Sequence, residues 1–187
     1  MNSISPAALR ACRSLERVNR LLRERESEGD LNPAQWAALR CLASANRFSR
    51  SPSAVAAWIA TTRGTASQTI MALERKGLAS RAADPRDKRG CILELTEKGR
   101  TALENDPVAT VASVLAGLQP LHLVALGQGL ARLLDELLAE GTRPAFQPCH
   151  GCAYFDRDAD AGGHCRRFDV MLDAEEAARL CVAYEKA

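Results

Sequence analysis

Aromatic residues make up only 4% of this 187-residue chain, and it holds 3 histidines and 3 methionines. So few rings give little to suggest a pocket for flat phenolic ligands. Lysine is scarce as well, outnumbered by arginine 21 to 4. That ratio suits fork-like contacts with phosphate, although an arginine-coding bias of the genome would produce it too. No stretch approaches the roughly 20 uninterrupted apolar residues of a membrane span. The first residues, MNSISPAALRACRSLERVN, lack a basic cluster followed by an apolar core, so the expectation is no signal peptide and a cytoplasmic protein. No Ser/His/Asp set and no glycine-rich phosphate loop stands out, which leaves an enzyme without support. What is present is a chain that is 47% apolar and 26% charged, enough for a core and wrong for a disordered tail. Its length fits one domain, or one domain with a small appendage.

The net charge of +2 hides an asymmetry. Residues 1–145 carry 20 Lys and Arg against 15 Asp and Glu, whereas residues 146–187 carry 5 against 8. The segment 31–100 alone has 12 against 5. A basic middle points to contact with a polyanion, most simply nucleic acid.

Helical periodicity opens the chain. Residues 6–28 place Leu9, Cys12, Leu15 or Glu16, Val18 or Asn19, and Leu22 near one stripe with arginines around it, an amphipathic helix ended by Gly29-Asp30. Asn32-Pro33 then supplies an N-cap and a first-turn proline for a helix with Trp36, Leu39 and Leu42 inside, ending near Asn46. A Ser-Pro-Ser lead-in starts a short helix over 52–60, and Thr61-Thr62 caps another over 63–76, stopped by Gly77. Two helices around so tight a turn form a helix-turn-helix pattern. From Leu78 to Leu95 the sequence alternates around a charged DPRDKRG centre, a β-hairpin signature. Together these elements spell a winged helix. Helical pattern returns at Thr96, breaks at Asn105-Asp106-Pro107 with Asp106 as a cap, and resumes after Gln119-Pro120 with leucines at 123, 126, 130, 133, 134, 137 and 138 up to Gly141. That leucine stripe and the first helix read as a dimerisation layer, the alternative being packing against the winged helix within one chain.

The phrase GLASRAADPRDKRGCILELTEKGR resembles the winged-helix repressors of the multiple-antibiotic-resistance regulator (MarR) family. The likeness lies in Gly77-Leu78, Arg81, the charged run from Asp84 through Arg89, and Leu95-Thr96 with Gly99, and it extends over about residues 5–140, including Pro33 and Gln35. The interruption at 105–107 departs from the family, which runs a long helix there. The resemblance implies a homodimer on double-stranded DNA with a pseudo-palindromic operator. Physically, the first turns of the second helix of the motif fit the major groove, where Arg63, Thr65, Ser67 and Gln68 would meet bases or phosphates. The wing residues Arg86, Lys88 and Arg89 would enter an adjacent minor groove, with Asp84 and Asp87 bracketing the arginines. A helix-start hydroxyl such as Thr65 or Ser67 can equally be a cap.

Of 7 cysteines, Cys12, Cys41 and Cys91 are scattered and read as small buried hydrophobes. The remaining four, Cys149, Cys152, Cys165 and Cys181, crowd into the last 39 residues. Four thiolates are a full ligand set for tetrahedral Zn²⁺ or a [4Fe–4S] cluster, and a two-residue gap lets one turn aim two sulfurs at one centre. Spacers of twelve and fifteen residues are not those of a zinc ribbon. The string with an aromatic after CxxC and glycine before the third cysteine is similar to the ligand segment of high-potential iron–sulfur proteins, which favours the cluster over zinc. Tyr154, Phe155, Phe168 and Tyr184 would form an aromatic shell. His150 and His164 could replace a cysteine ligand in a zinc site but read more simply as loop or supporting residues; His122 reads as structural, and Trp36 and Trp58 as core anchors.

The expected fold is therefore mainly α with a small β-hairpin wing: a winged helix-turn-helix with N- and C-terminal dimerisation helices over residues 1–144, and a cysteine-rich metal-binding extension over 145–187. The expected function is transcriptional regulation, as a repressor, with the extension sensing redox, gas or iron state through the dimer helix and the 141–144 linker. A purely structural zinc tail is the alternative, and an electron-transfer iron–sulfur protein a more distant one.

Overall fold

The computed structural model describes residues 4–84, 87–139, 143–158 and 162–187, with the side chains of 87–89 also outside the description. Four proline-led or threonine-capped helices start where their caps lie. Ser5 accepts a hydrogen bond from the Ala7 N–H at the head of α1 (Pro6–Glu26). Asn32 and Gln35 form a reciprocal capping box on α2 (Pro33–Ser44), and Ser51 caps α3 (Pro52–Trp58). Thr62 caps α4 (Arg63–Arg75), and Gly77, at φ 69°, turns the chain out of it. An antiparallel hairpin follows, β1 (Ala79–Asp84) with β2 (Asp87–Leu95), paired from Ala79–Leu95 outward with an irregularity at Ala83/Asp84.

The Gly-Leu and Leu-Thr-x-x-Gly phrases of the sequence prove to be two halves of one joint. Thr96 donates its hydroxyl to the Gly77 carbonyl (2.6 Å) and accepts from the Gly99 N–H (3.0 Å), so it caps α5 (Glu97–Glu104) while pinning the exit of α4. A Cβ at Gly99 would lie 2.1 Å from the Leu78 carbonyl oxygen. Only glycine permits that approach.

Around this joint the core of the winged helix closes on Leu39, Val55, Ile70, Leu73 and Leu93, all essentially without exposure, with Trp36 buried and Trp58 packed against its edge. Cys41 is buried there as expected. Cys12 is not: it is exposed on α1, because the apolar stripe of that helix is itself uncovered in the monomer. His122 is likewise exposed, and Cys91 is half-buried in β2.

The break at 105–107 is real. Asp106 accepts from the Val108 N–H (2.9 Å) and starts α6 (Val108–Ala116); α7 (Pro120–Ala139) follows. Neither α6 nor α7 buries a residue, and Leu121, Val124, Leu133 and Leu137 stand open. The stop at Gly141 lies outside the described residues. Arg40 of α2 ties this region down: its guanidinium binds Asp106 with two hydrogen bonds (2.7 and 2.5 Å) and Glu26 at 2.6 Å, joining the ends of α1 and α5 to the core.

Beyond residue 145 the chain forms a module that the sequence pattern did not foresee as a sheet. β3 (Phe155–Asp158), β4 (Gly162–Cys165) and β5 (Val170–Asp173) make an antiparallel three-stranded sheet in that order, followed by α8 (Ala174–Ala178). Strands of four residues carry too little alternation to be told from loop.

Burial alone would raise the Asp106 carboxyl, but the hydrogen bond from Arg40, the Val108 N–H and the Arg40 charge hold it below its ordinary value. A carboxylate so held contributes stability above its unfolded pKa of about 4 and loses it as pH falls through the lower folded value. Arg40→Met, which strands the buried Glu26, is expected to cost about 3 kcal/mol in denaturant unfolding at neutral pH, and Asp106→Asn should flatten the acid limb of the stability curve below about pH 4.

Candidate nucleic-acid interface and metal centre

The inner face of α4 is fixed by Ala66, Thr69, Ile70 and Leu73, which are buried in the core. That leaves Arg63, Thr65 and Gln68 exposed, with Ser67 half-buried. Thr62 accepts from the Thr65 N–H (3.2 Å), and the two hydroxyls stand 3.0 Å apart. Thr65 is thus engaged at the cap, while Arg63 and Gln68 face outward unencumbered by the core. Met71 and Arg75 are exposed on the same side; their steps of three and seven residues from Gln68 carry that signal in the sequence, although neither was expected at the interface.

The hairpin is braced against this helix. Arg81 of β1 pairs with Glu74 of α4 at 3.0 Å, so the arginine that marks the exit from the motif holds the wing to α4. Arg86 lies outside the described residues; Lys88 and Arg89 belong to β2, with their side chains outside the description. One groove-width helix with an open polar N-terminal face and a flanking β-ribbon can span a major groove and reach the next minor one.

The four clustered cysteines are drawn to one place by short-range structure. The Cys152 N–H donates to the Cys149 carbonyl (3.0 Å), closing the turn that carries both sulfurs. Cys165 ends β4, opposite Phe155 of β3 and Val170 of β5. Cys181 bridges to Gln147, two residues before Cys149, and Cys152 bridges to Lys186. Gly163 permits the tight sheet beside them, since a Cβ there would lie 2.3 Å from the Asp156 carbonyl oxygen.

Cys149, Cys165 and Cys181 are buried and Cys152 half-buried. Phe48, Leu172 and Ala177 share one apolar cluster with Cys149 and Cys165. Burial, and then the charges of Cys181, Cys165, Cys152 and Glu176, push the Cys149 thiol up to about 12. Burial likewise pushes the Cys181 thiol up. A cation among the sulfurs would reverse this balance, since coordination deprotonates a thiol outright. Among the described residues, no three His, Cys, Asp or Glu side chains are closed up as a ready-made ligand set.

The histidines stand aside. His150 is exposed, and His164 Nε2 lies 3.0 Å from the Asp169 carboxylate. Of the aromatic residues, Phe155 packs on the cysteine cluster and Phe168 stacks on Phe48 with ring centroids 4.0 Å apart. The Tyr184 hydroxyl donates to the Gly151 carbonyl (3.0 Å), whereas Tyr154 is turned toward Arg167 and Glu185.

The module rests on the loop between α2 and α3. The Asn46 N–H donates to the Leu180 carbonyl (3.0 Å), the Leu180 N–H to the Ser44 carbonyl (2.9 Å), and the Val182 N–H to the Ser49 hydroxyl (2.7 Å). Arg47 pairs with Glu176 at 3.4 Å. Nothing in the sequence pattern foretold this, because the partners are about 130 residues apart.

These elements define a winged-helix protein with a helix-turn-helix, a braced hairpin wing and an appended cysteine module. The model of the MarR family matches residues 29–90. The fold is similar to Streptococcus pneumoniae FabT, solved in complex with DNA, at TM-score 0.57 and 24% identity over 72% of this chain and 99% of that one. It is also similar to a mutant MarR from E. coli at TM-score 0.54 and 24% identity, over 71% and 99% of the two chains, and to the transcriptional regulator SlyA at 0.55 and 18%, over 73% and 96%. None of the curated proteins matches the chain.

At pH 8 the buried thiols of Cys41 and Cys149, pushed up to about 12, hold only about one part in 10,000 of thiolate, whereas Cys12 is open to reagent. Alkylation of metal-free protein with iodoacetamide, followed by peptide mass spectrometry, is therefore expected to modify exposed Cys12 well before Cys41 or Cys149.

Proposed function

We propose that this protein is a sequence-specific DNA-binding transcriptional regulator, acting as a homodimeric repressor on a pseudo-palindromic operator, with a metal module at its C-terminal end. The observation that carries the reading is the outward face of α4, with Arg63 and Gln68 exposed beside a hairpin locked to the same helix through Arg81 and Glu74. A DNA complex of a similar fold, that of FabT, supports it.

The dimer accounts for surface that the monomer leaves open. Leu9 and Val18 of α1, Val114 of α6, and Leu121 and Leu137 of α7 are 42% to 76% exposed. A contiguous apolar surface of this kind is covered in a soluble protein by a partner, and a second copy related by a two-fold axis covers it symmetrically. In this reading the tail binds [4Fe–4S] or Zn²⁺ through Cys149, Cys152, Cys165 and Cys181, the four sulfurs supplying a complete thiolate set. The cluster would give the protein a redox, gas or iron sensor, and zinc a structural module.

Replacing Arg86 and Arg89 with alanine is expected to weaken binding to all DNA sequences and to lower the slope of log affinity against log salt by about 0.9 for each phosphate that is no longer neutralised. Gln68→Ala should instead relax sequence preference by about 1–3 kcal/mol at one base position. Wing variants that bind and respond to salt like the parent would sink the interface. Footprints should show half-sites roughly 10 base pairs apart, and removal of residues 1–28 should abolish the dimer in analytical ultracentrifugation. Iron, sulfide and zinc analysis of anaerobically purified protein decides the metal.

A further inference from the structure

The cysteine module does not enclose its own sulfurs; the wall facing Cys181 comes from the DNA-binding domain. The turn 46–49, between α2 and α3, holds both neighbours of this cysteine. The Asn46 N–H donates to the Leu180 carbonyl (3.0 Å) and the Ser49 hydroxyl accepts from the Val182 N–H (2.7 Å). Phe48, in the same turn, packs in one buried cluster with Cys149 and Cys165.

Inside this turn Asn46 is fully buried. Its Oδ1 accepts from the Phe48 N–H (3.2 Å) and from the Ser49 hydroxyl (2.8 Å). A backbone N–H can only donate, so the oxygen must be the atom on that side and the NH₂ must point the other way. That Nδ2 is buried and has no hydrogen-bond partner among the described residues. The Asn46 backbone is bonded to Leu180, and the Ser49 hydroxyl that it orients is bonded to Val182, so the amide lies against the segment that carries Cys181. A buried amide donor without a proper acceptor costs about 1–3 kcal/mol. A thiolate bonded to a metal is the acceptor that would relieve that cost, because amide hydrogen bonds to ligand sulfur are a standard way for a protein to support a thiolate centre.

We propose that the metal centre is composite: Asn46 is an outer positioning residue that donates Nδ2–H to the ligating sulfur of Cys181, and metal binding thereby fastens the C-terminal module onto the loop that leads into the helix-turn-helix. The proposal rests on the reading of the four cysteines as ligands. It places the link between metal and DNA-binding surface at residues 45–51, not along the dimer helix. From that loop the connection onward is short. The Leu93 N–H of the wing strand donates to the Arg50 carbonyl (2.7 Å), and Ser51 caps α3.

The test uses full-length protein loaded either with Zn²⁺ or with an anaerobically reconstituted [4Fe–4S] cluster, and follows metal loss to excess chelator. Asn46→Asp keeps the size and both acceptor bonds but removes the donor. Ser49→Ala is milder and frees the Val182 N–H while leaving the amide in place. Asn46→Asp is expected to release metal 10- to 100-fold faster than the parent, with Ser49→Ala in between. Hydrogen exchange of residues 45–50 should be slower in the loaded parent than in the metal-free parent, and this difference should shrink in both variants. Unchanged release in both variants, with unchanged protection of the loop, overturns the composite site while leaving the cysteines as ligands. A parent protein that takes up neither zinc nor cluster overturns the ligand reading, and the composite site with it.

Discussion

Leu180 and Val182, on either side of Cys181, are both hydrogen-bonded to a single four-residue turn of the winged helix. Cys181 is tied to the other cysteines by its bridge to Gln147, and this turn fastens the same segment to the helices of the winged helix. The constraint works in both directions. The turn owes its shape to Asn46, whose oxygen gathers the Phe48 N–H and the Ser49 hydroxyl, and the same residues deliver the chain to the Ser51 cap of α3. A change in how the tail sits is therefore a change at the start of the helix-turn-helix. This route is shorter than the one through α7, and it touches the wing as well through Arg50.

A second constraint organises the other side of the molecule. Arg40 gathers two carboxylates, Glu26 from the end of α1 and Asp106 from the break after α5. Asp106 also starts α6. One guanidinium thereby sets the directions in which α1 and α6 leave the core. Both helices carry apolar faces that the monomer leaves open, so the clamp determines how those faces are presented to a partner. Burying such a network is expensive, and a hydrophobic trio of equal volume would serve stability as well. What the charged clamp contributes is direction, because a fork with fixed donor positions admits one arrangement of its acceptors.

The parts of this architecture that were legible in the sequence are those specified locally. The Asn32-Pro33 and Thr62 starts, the Gly77 stop and the Asp106-Pro107 break each act within four residues, and each lies where it was expected. Gly99 was visible as part of a motif but its reason was not, because the Leu78 carbonyl it accommodates lies across a hairpin. Arg63 and Gln68 could be placed on the outer face of a helix by periodicity alone. The Arg40–Asp106 pair, the Phe48–Phe168 stack and the docking of the Asn46 turn on Leu180 could not, since each joins residues far apart in the chain. The expectation that Cys12 is buried failed for a related reason: helical spacing identifies an apolar face but does not say whether the same chain covers it.

Energies decide which of the two attachments of the tail can carry information. The docking seen here comprises a few hydrogen bonds at about 0.5–1.5 kcal/mol each, a ring stack at about 0.5–1.5 kcal/mol and a partly exposed ion pair at about 1 kcal/mol or less. From the sum must come the entropy of ordering the module. What remains is on the scale of a few kcal/mol, close to the roughly 1–3 kcal/mol typical of coupling between sites. Thiolate metal binding is several times larger, at about 10–16 kcal/mol for structural zinc. Such a ligand can reset a docking equilibrium of this size if only a small part of its binding energy differs between the docked and undocked states. In the proposed composite site the Asn46 donor is where that difference would arise, because it would reach the Cys181 sulfur only when the module is seated on the loop.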